Sequence, residues 1–140
     1  MHRSLAALAC VMVAAVMSGA CDNGPETAPS PTPGNPVTET FTGTLHLNGS
    51  VTHTFATGAA GAVTATITTV DPSGSVLGFQ LGTFNTVTCS AVLSNDLATA
   101  ASVLSGNTQS AASLCVKVHD PNGAIAAEAA VNYTVTVSHF

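Results

Sequence analysis

The chain has 140 residues, room for one modest domain, and 46% of them are apolar while only 6% are charged. Apolar content that high separates it from disordered chains, which lack the surface to bury. Arg3 and Lys117 are its only basic side chains, too few to displace counterions from a phosphate backbone, so nucleic acid is excluded as a partner.

At the amino terminus, Arg3 precedes an apolar run, Leu5 to Met17 (LAALACVMVAAVM), which has the length of a signal-peptide core and is too short to span a bilayer comfortably. Ser18, Gly19 and Ala20 are small, and Cys21 follows. The residues "SGAC" resemble a bacterial lipobox, in which the cysteine is acylated and becomes the first residue. Leu is usual where Ser18 stands, and ordinary signal cleavage after Ala20 is the alternative. Cysteine arithmetic favours lipid: Cys10 leaves with residues 1–20, and if Cys21 carries acyl chains, Cys89 and Cys115 are left as one pair in an oxidising compartment. The expected disulfide closes a loop worth roughly 3–4 kcal/mol in the chain-entropy model. Residues 21–36 then read as a lipidated cysteine on a flexible tether. Asp22 to Pro36 (DNGPETAPSPTPGNP) has no apolar periodicity, and its prolines hold it partly extended at up to about 3 Å per residue.

From Val37 to Phe140 the dominant signal is period two. Val51, His53 and Phe55 alternate with Thr52 and Thr54; Val63, Ala65 and Ile67 with Thr64, Thr66 and Thr68; Leu77, Phe79 and Leu81 with Gly78, Gln80 and Gly82. Leu114, Val116 and Val118 alternate with Cys115, Lys117 and His119, and Val131, Tyr133, Val135 and Val137 with Asn132, Thr134 and Thr136. One-sided alternation of this kind marks antiparallel strands over one core. Asn48-Gly49 marks a turn, expected as a three-residue loop that pairs Leu47 with Val51 so that apolar faces stay together. The runs Asp71-Pro72-Ser73-Gly74 and Asp120-Pro121-Asn122-Gly123 read as type I turns. In the Ala-rich stretch from Ala91 to Ala112, Ser102 to Leu104 reads as a short strand and the rest as loop. The fold class expected is all-β, an antiparallel jelly-roll-like sandwich of about 7–9 short strands.

"FTGTLHLNGSVTHTFAT", "AVTATITTV", "LGFQLGT", "CSAV", "LCVKVHDPNG" and "YTVTVSHF" follow one another in an order that resembles bacterial pre-peptidase C-terminal-like domains. The resemblance covers about Thr38 to Phe140, with Leu114 standing where the family commonly has Tyr. It implies a small jelly-roll-like sandwich of a kind that accompanies secreted proteases and is not itself a peptidase. Some members bind calcium through carboxylates near the start of the domain; Glu39 alone does not make such a site.

No His-Glu-x-x-His, G-x-S-x-G or phosphate-binding glycine loop occurs in the chain, so it carries no catalytic motif and no cofactor or metal is expected. His46, His53, His119 and His139 lack the local spacing of a metal motif, and His53 reads as a hydrogen-bonded boundary residue. Thr64, Thr66 and Thr68 read as a solvent face. The reading is a noncatalytic accessory or binding module in the bacterial cell envelope, held at the periplasmic face or cell surface by its lipid alone, with a protein or glycan as ligand. Its ligand-binding residues are unassigned. The alternatives are a purely structural envelope lipoprotein and a small hydrolase. Mass spectrometry of the membrane fraction is expected to find Cys21 as an acylated first residue; an unmodified soluble chain would overturn that assignment.

Overall fold

A computed structural model describes residues 34–140. The leader, Cys21 and most of the tether lie outside the described residues. Eight strands follow in chain order: β1 (Val37–Leu45), β2 (Ser50–Thr57), β3 (Gly61–Asp71), β4 (Leu77–Phe84), β5 (Cys89–Ala98), β6 (Val103–Thr108), β7 (Ala112–His119) and β8 (Val131–His139). One sheet has the order β1-β8-β3-β6 and the other β2-β7-β4-β5, with every pairing antiparallel. This interleaved order is that of an eight-stranded jelly roll.

Each alternation read from the sequence becomes one inward face. Val63, Ala65 and Ile67 on β3 and Tyr133, Val135 and Val137 on β8 face Leu77, Phe79 and Leu81 on β4 and Leu114, Val116 and Val118 on β7. Phe79, Ile67, Val116, Val118 and Val135 are wholly buried. Alternation works here because the side-chain period of a strand is two, and each sheet has only one face to hide.

Two local expectations are corrected. Leu47 does not pair with Val51: β1 and β2 belong to different sheets, Val51 lies opposite Val118, and Leu47 is exposed in the connection. Asn48 adopts φ 57°, and Gly49 N–H donates to His46 O at 2.8 Å, so the chain turns to cross between sheets instead of forming a hairpin. Burial decides this, because β1 gains more by pairing along its whole length with β8, where Thr faces Thr and Phe41 lies opposite Val135. The stretch from Ala91 to Ala112 is not mostly loop. It holds most of β5, all of β6 and the start of β7, with a turn at Ala101 (φ 69°). β5 and β6 lie at sheet edges, where a strand needs one ladder only and small or polar residues suffice.

The turns also differ from type I. Between β3 and β4 the turn hydrogen bond runs from Ser75 N–H to Pro72 O at 3.3 Å with Gly74 at φ 86°, and Pro121–Gly123 forms a 3₁₀ turn with Asn122 at φ 56°, where a type I turn needs negative values. The buried Asp120 carboxylate organises this second turn. It accepts the Asn48 N–H at 2.8 Å through Oδ2 and the Ile125 N–H at 3.1 Å through Oδ1.

Cys89 and Cys115 are disulfide-bonded, with Cα atoms 5.8 Å apart. The bond ties the start of β5 to β7 over Gly82 of β4, which lies opposite both Cys115 and Ala91. A Cβ at Gly82 would strike the Ser90 carbonyl, so this close approach requires glycine.

Phe79→Ala should cost on the order of 3–5 kcal/mol, read as the change in unfolding free energy by urea titration. A loss below about 1 kcal/mol would contradict its burial. Replacing both Cys89 and Cys115 with Ser should lower stability by roughly 3–4 kcal/mol, because the bond closes a separation of 26 residues. A melting temperature unchanged from that of the parent would contradict a supporting role for the bond.

Candidate functional site

The two long sides of the sandwich differ. On one, β1 and β2 close against each other through aromatic and imidazole rings. Phe41 stacks on His53 with ring centroids 5.0 Å apart, His53 Nε2 shares a hydrogen bond of 2.9 Å with the Tyr133 hydroxyl, and the His53 and Tyr133 rings meet edge to face. Gly43, opposite Tyr133, leaves space for the phenol; any side chain there would strike the ring. Below them, Phe55 packs against His139, whose Nε2 lies 2.9 Å from Glu39 Oε1. Burial lowers the pKa of His53 from its ordinary value and pushes that of Tyr133 up to about 12. These rings fill the space between the sheets on this side, and a polar hollow of about 320 Å³ lies on the outer face beside Gly43 and Tyr133, lined by Thr42, Thr44, Thr69, Asp71, Asn132 and Thr134.

On the other side, edge strands β5 and β6 do not meet, and a groove of about 260 Å³ opens between them. Val63, Leu81, Leu93 and Leu114 make its apolar floor, while Thr83, Asn107, Thr108, Gln109 and Ser110 make a polar rim, and no charged residue lines it. Val92 stands at its lip, exposed. A pocket that is apolar inside and has a few converging amides and hydroxyls at its mouth is the usual form of a binding site.

The outer face of the β1-β8-β3-β6 sheet is hydroxylic. Register aligns Thr38, Ser138, Thr64 and Ser105 in one row, and Thr40, Thr136 and Thr66 in the next. The sequence showed the β3 and β8 parts as separate polar sides; pairing brings them together and adds β1 and β6.

The other sequence candidates disperse. Among the described residues, no group of three or more His, Cys, Asp or Glu side chains could hold a metal ion. Glu39 pairs with His139 instead of joining other carboxylates. His119, expected to be solvated, packs over Gly78, where any Cβ would strike its ring; its Nε2 lies 3.5 Å from Asp96 Oδ1, and its buried Nδ1 has no partner among the described residues. Neither histidine–carboxylate pair contacts a serine hydroxyl within a hydrogen bond. The groove itself escaped the sequence reading because Leu93, Gly106 and Asn107 lie in the stretch taken for loop. The alternation of Leu104, Gly106 and Thr108 was the signal that could have found it.

No family model matches this chain, and no curated protein matches it.

The lowered pKa of His53 fixes the sign of a pH dependence. Between the folded value and the unfolded value near 6.5, only the unfolded chain binds the proton, so stability contributed by neutral His53 falls as pH drops below about 6.5 and levels off below the folded pKa. Urea titrations across this range should show that decline, and His53→Phe should remove its His53-dependent part. An identical pH profile in the variant would contradict the assignment.

Proposed function

We propose that this protein is a noncatalytic binding module, anchored in the bacterial cell envelope through acylated Cys21, and that the groove between β5 and β6 is its binding site. The observation that carries the reading is the groove itself: preformed, apolar within, polar at the rim and uncharged. Preformed walls reduce the ordering cost of binding, and here the disulfide holds β5 to β7 beside the groove. The resemblance to pre-peptidase C-terminal-like domains is in keeping with an accessory role. On this reading the membrane is met through the lipid, and the ligand is a protein or a glycan.

A second reading has an observation of its own. The rows of Thr and Ser across the outer sheet form a largely hydroxylic surface, with Asp71 at one end, of the kind a purely structural envelope lipoprotein needs.

A screen of envelope proteins and glycans tests between them. Binding should shift the methyl resonances of Leu93 and Leu114. Gly106→Leu should abolish it while leaving the melting temperature unchanged, because a Cβ at Gly106 meets only Leu93 Cδ1, at 3.7 Å, and the larger side chain projects into the groove. Absence of any ligand in the screen would favour the structural reading.

A further inference from the structure

We propose that the occupant of the groove is an extended, uncharged polypeptide strand that adds to the free edge of β6; this rests on the groove being the binding site. The argument begins with the β6 backbone. Ile67 N–H donates to Ser102 O at 3.0 Å, and Ile67 lies one residue beyond the Thr66–Val103 pair. Hydrogen-bonded and non-hydrogen-bonded pairs alternate along an antiparallel ladder, so Leu104, Gly106 and Thr108 direct their N–H and C=O groups at β3. Val103, Ser105 and Asn107 direct theirs the other way, out of the sheet edge. The side chains agree: Thr64 and Ser105 oxygens meet at 3.1 Å, as expected of a non-hydrogen-bonded pair, where side chains come closest.

β6 is also the least defended edge. Natural edge strands are blunted by charge, proline, bulges or cover. β1 carries Glu39; β2, the edge opposite it in the other sheet, is as free of charge, proline and register shift as β6, but these two edges cover each other through the Phe41–His53 stack. β5 carries Asp96, and its pairing with β4 is bulged twice. β6, VLSGNT, has no charge or proline, and its pairing with β3 runs without a register shift. Beside its open backbone lies an apolar groove. A strand laid along β6 would complete the ladder with its main chain and place alternate side chains into the groove over Gly106, where no side chain projects. This geometry selects an extended peptide over a glycan, which has no row of N–H and C=O groups at strand spacing. The uncharged rim selects an uncharged one, because a charge placed there would be desolvated without a partner.

The probe is a short blocked peptide alternating Val and Thr, titrated into isotope-labelled full chain. The expected result is a shift of the Leu93 and Leu114 methyls together with slowed exchange of the Ser105 and Asn107 amides. N-methylation of alternate peptide residues should weaken binding at least about tenfold in one register and leave it unchanged in the other, because only one edge of the added strand faces β6. Ser105→Pro, which removes an outward N–H at an edge position where proline is tolerated, should weaken binding similarly with the fold intact by circular dichroism. Shifted groove methyls with unaltered amide exchange, or equal affinity for both N-methylated peptides, would overturn strand addition and leave the groove reading standing. A protein that binds neither this peptide nor any ligand in the screen would overturn both. Protection of the outward Ser105 and Asn107 amides in the unliganded chain, accompanied by dimerisation in sedimentation, would show a second copy as the occupant and overturn the assignment of a separate strand.

Discussion

The structure depends on β8 being paired on both sides. β8 lies between β1 and β3, and all of its inward residues, Val131, Tyr133, Val135, Val137 and His139, are buried. Without it the first sheet would fall into an isolated β1 and a β3-β6 pair, neither of which can hide an apolar face alone. The strand that joins them comes last in the described chain, so the pairings are long-range and carry the loop-closure entropy that such topologies impose. Tyr133 extends this role across the sandwich, since its hydroxyl reaches His53 in the opposite sheet.

From that constraint follows the asymmetry of the two sides. β8 leaves β1 at one edge of its sheet and β6 at the other. The β1 edge lies beside β2, and the rings of Phe41, His53 and Tyr133 fill the space between the sheets. The β6 edge lies beside β5, where Leu93, Gly106 and Ala112 are too small or too far apart to do the same. An opening therefore remains where no aromatic side chain lines the gap. The disulfide sits on this side, and the cross-link holds β5 to β7 across β4.

The outer face of the first sheet is polar with little charge. Net charge is −5 over 140 residues, with two basic side chains. Hydroxyl groups on the outer face of the first sheet supply the hydration that Lys and Glu supply elsewhere, and β-branched Thr is also a good strand former. The same chemistry that suits the solvent face leaves β6 without the charges by which other proteins protect an edge.

Much of this was legible in the residues. Period-two alternation located the strands through Tyr133 and the core residues Phe79, Ile67 and Val116, because which face is buried is a local property of each strand. Counting cysteines paired Cys89 with Cys115, because reading Cys10 as part of a signal peptide and Cys21 as a lipid site left only that pair. The chain by itself thus determined the fold class, the buried faces and the disulfide. What it could not determine was which strand lies beside which. Leu47 and Val51 are neighbours in sequence with matching character, yet β1 and β2 enter different sheets, because pairing is a choice among all strands and is settled by their combined burial. β5 and β6 were hidden for a related reason: an edge strand satisfies one ladder, needs little apolar patterning, and reads as loop until its partner is known. The groove lies between those two edges, so tertiary structure decided where it opens, because only the assembled sheets bring β5 and β6 to the same side.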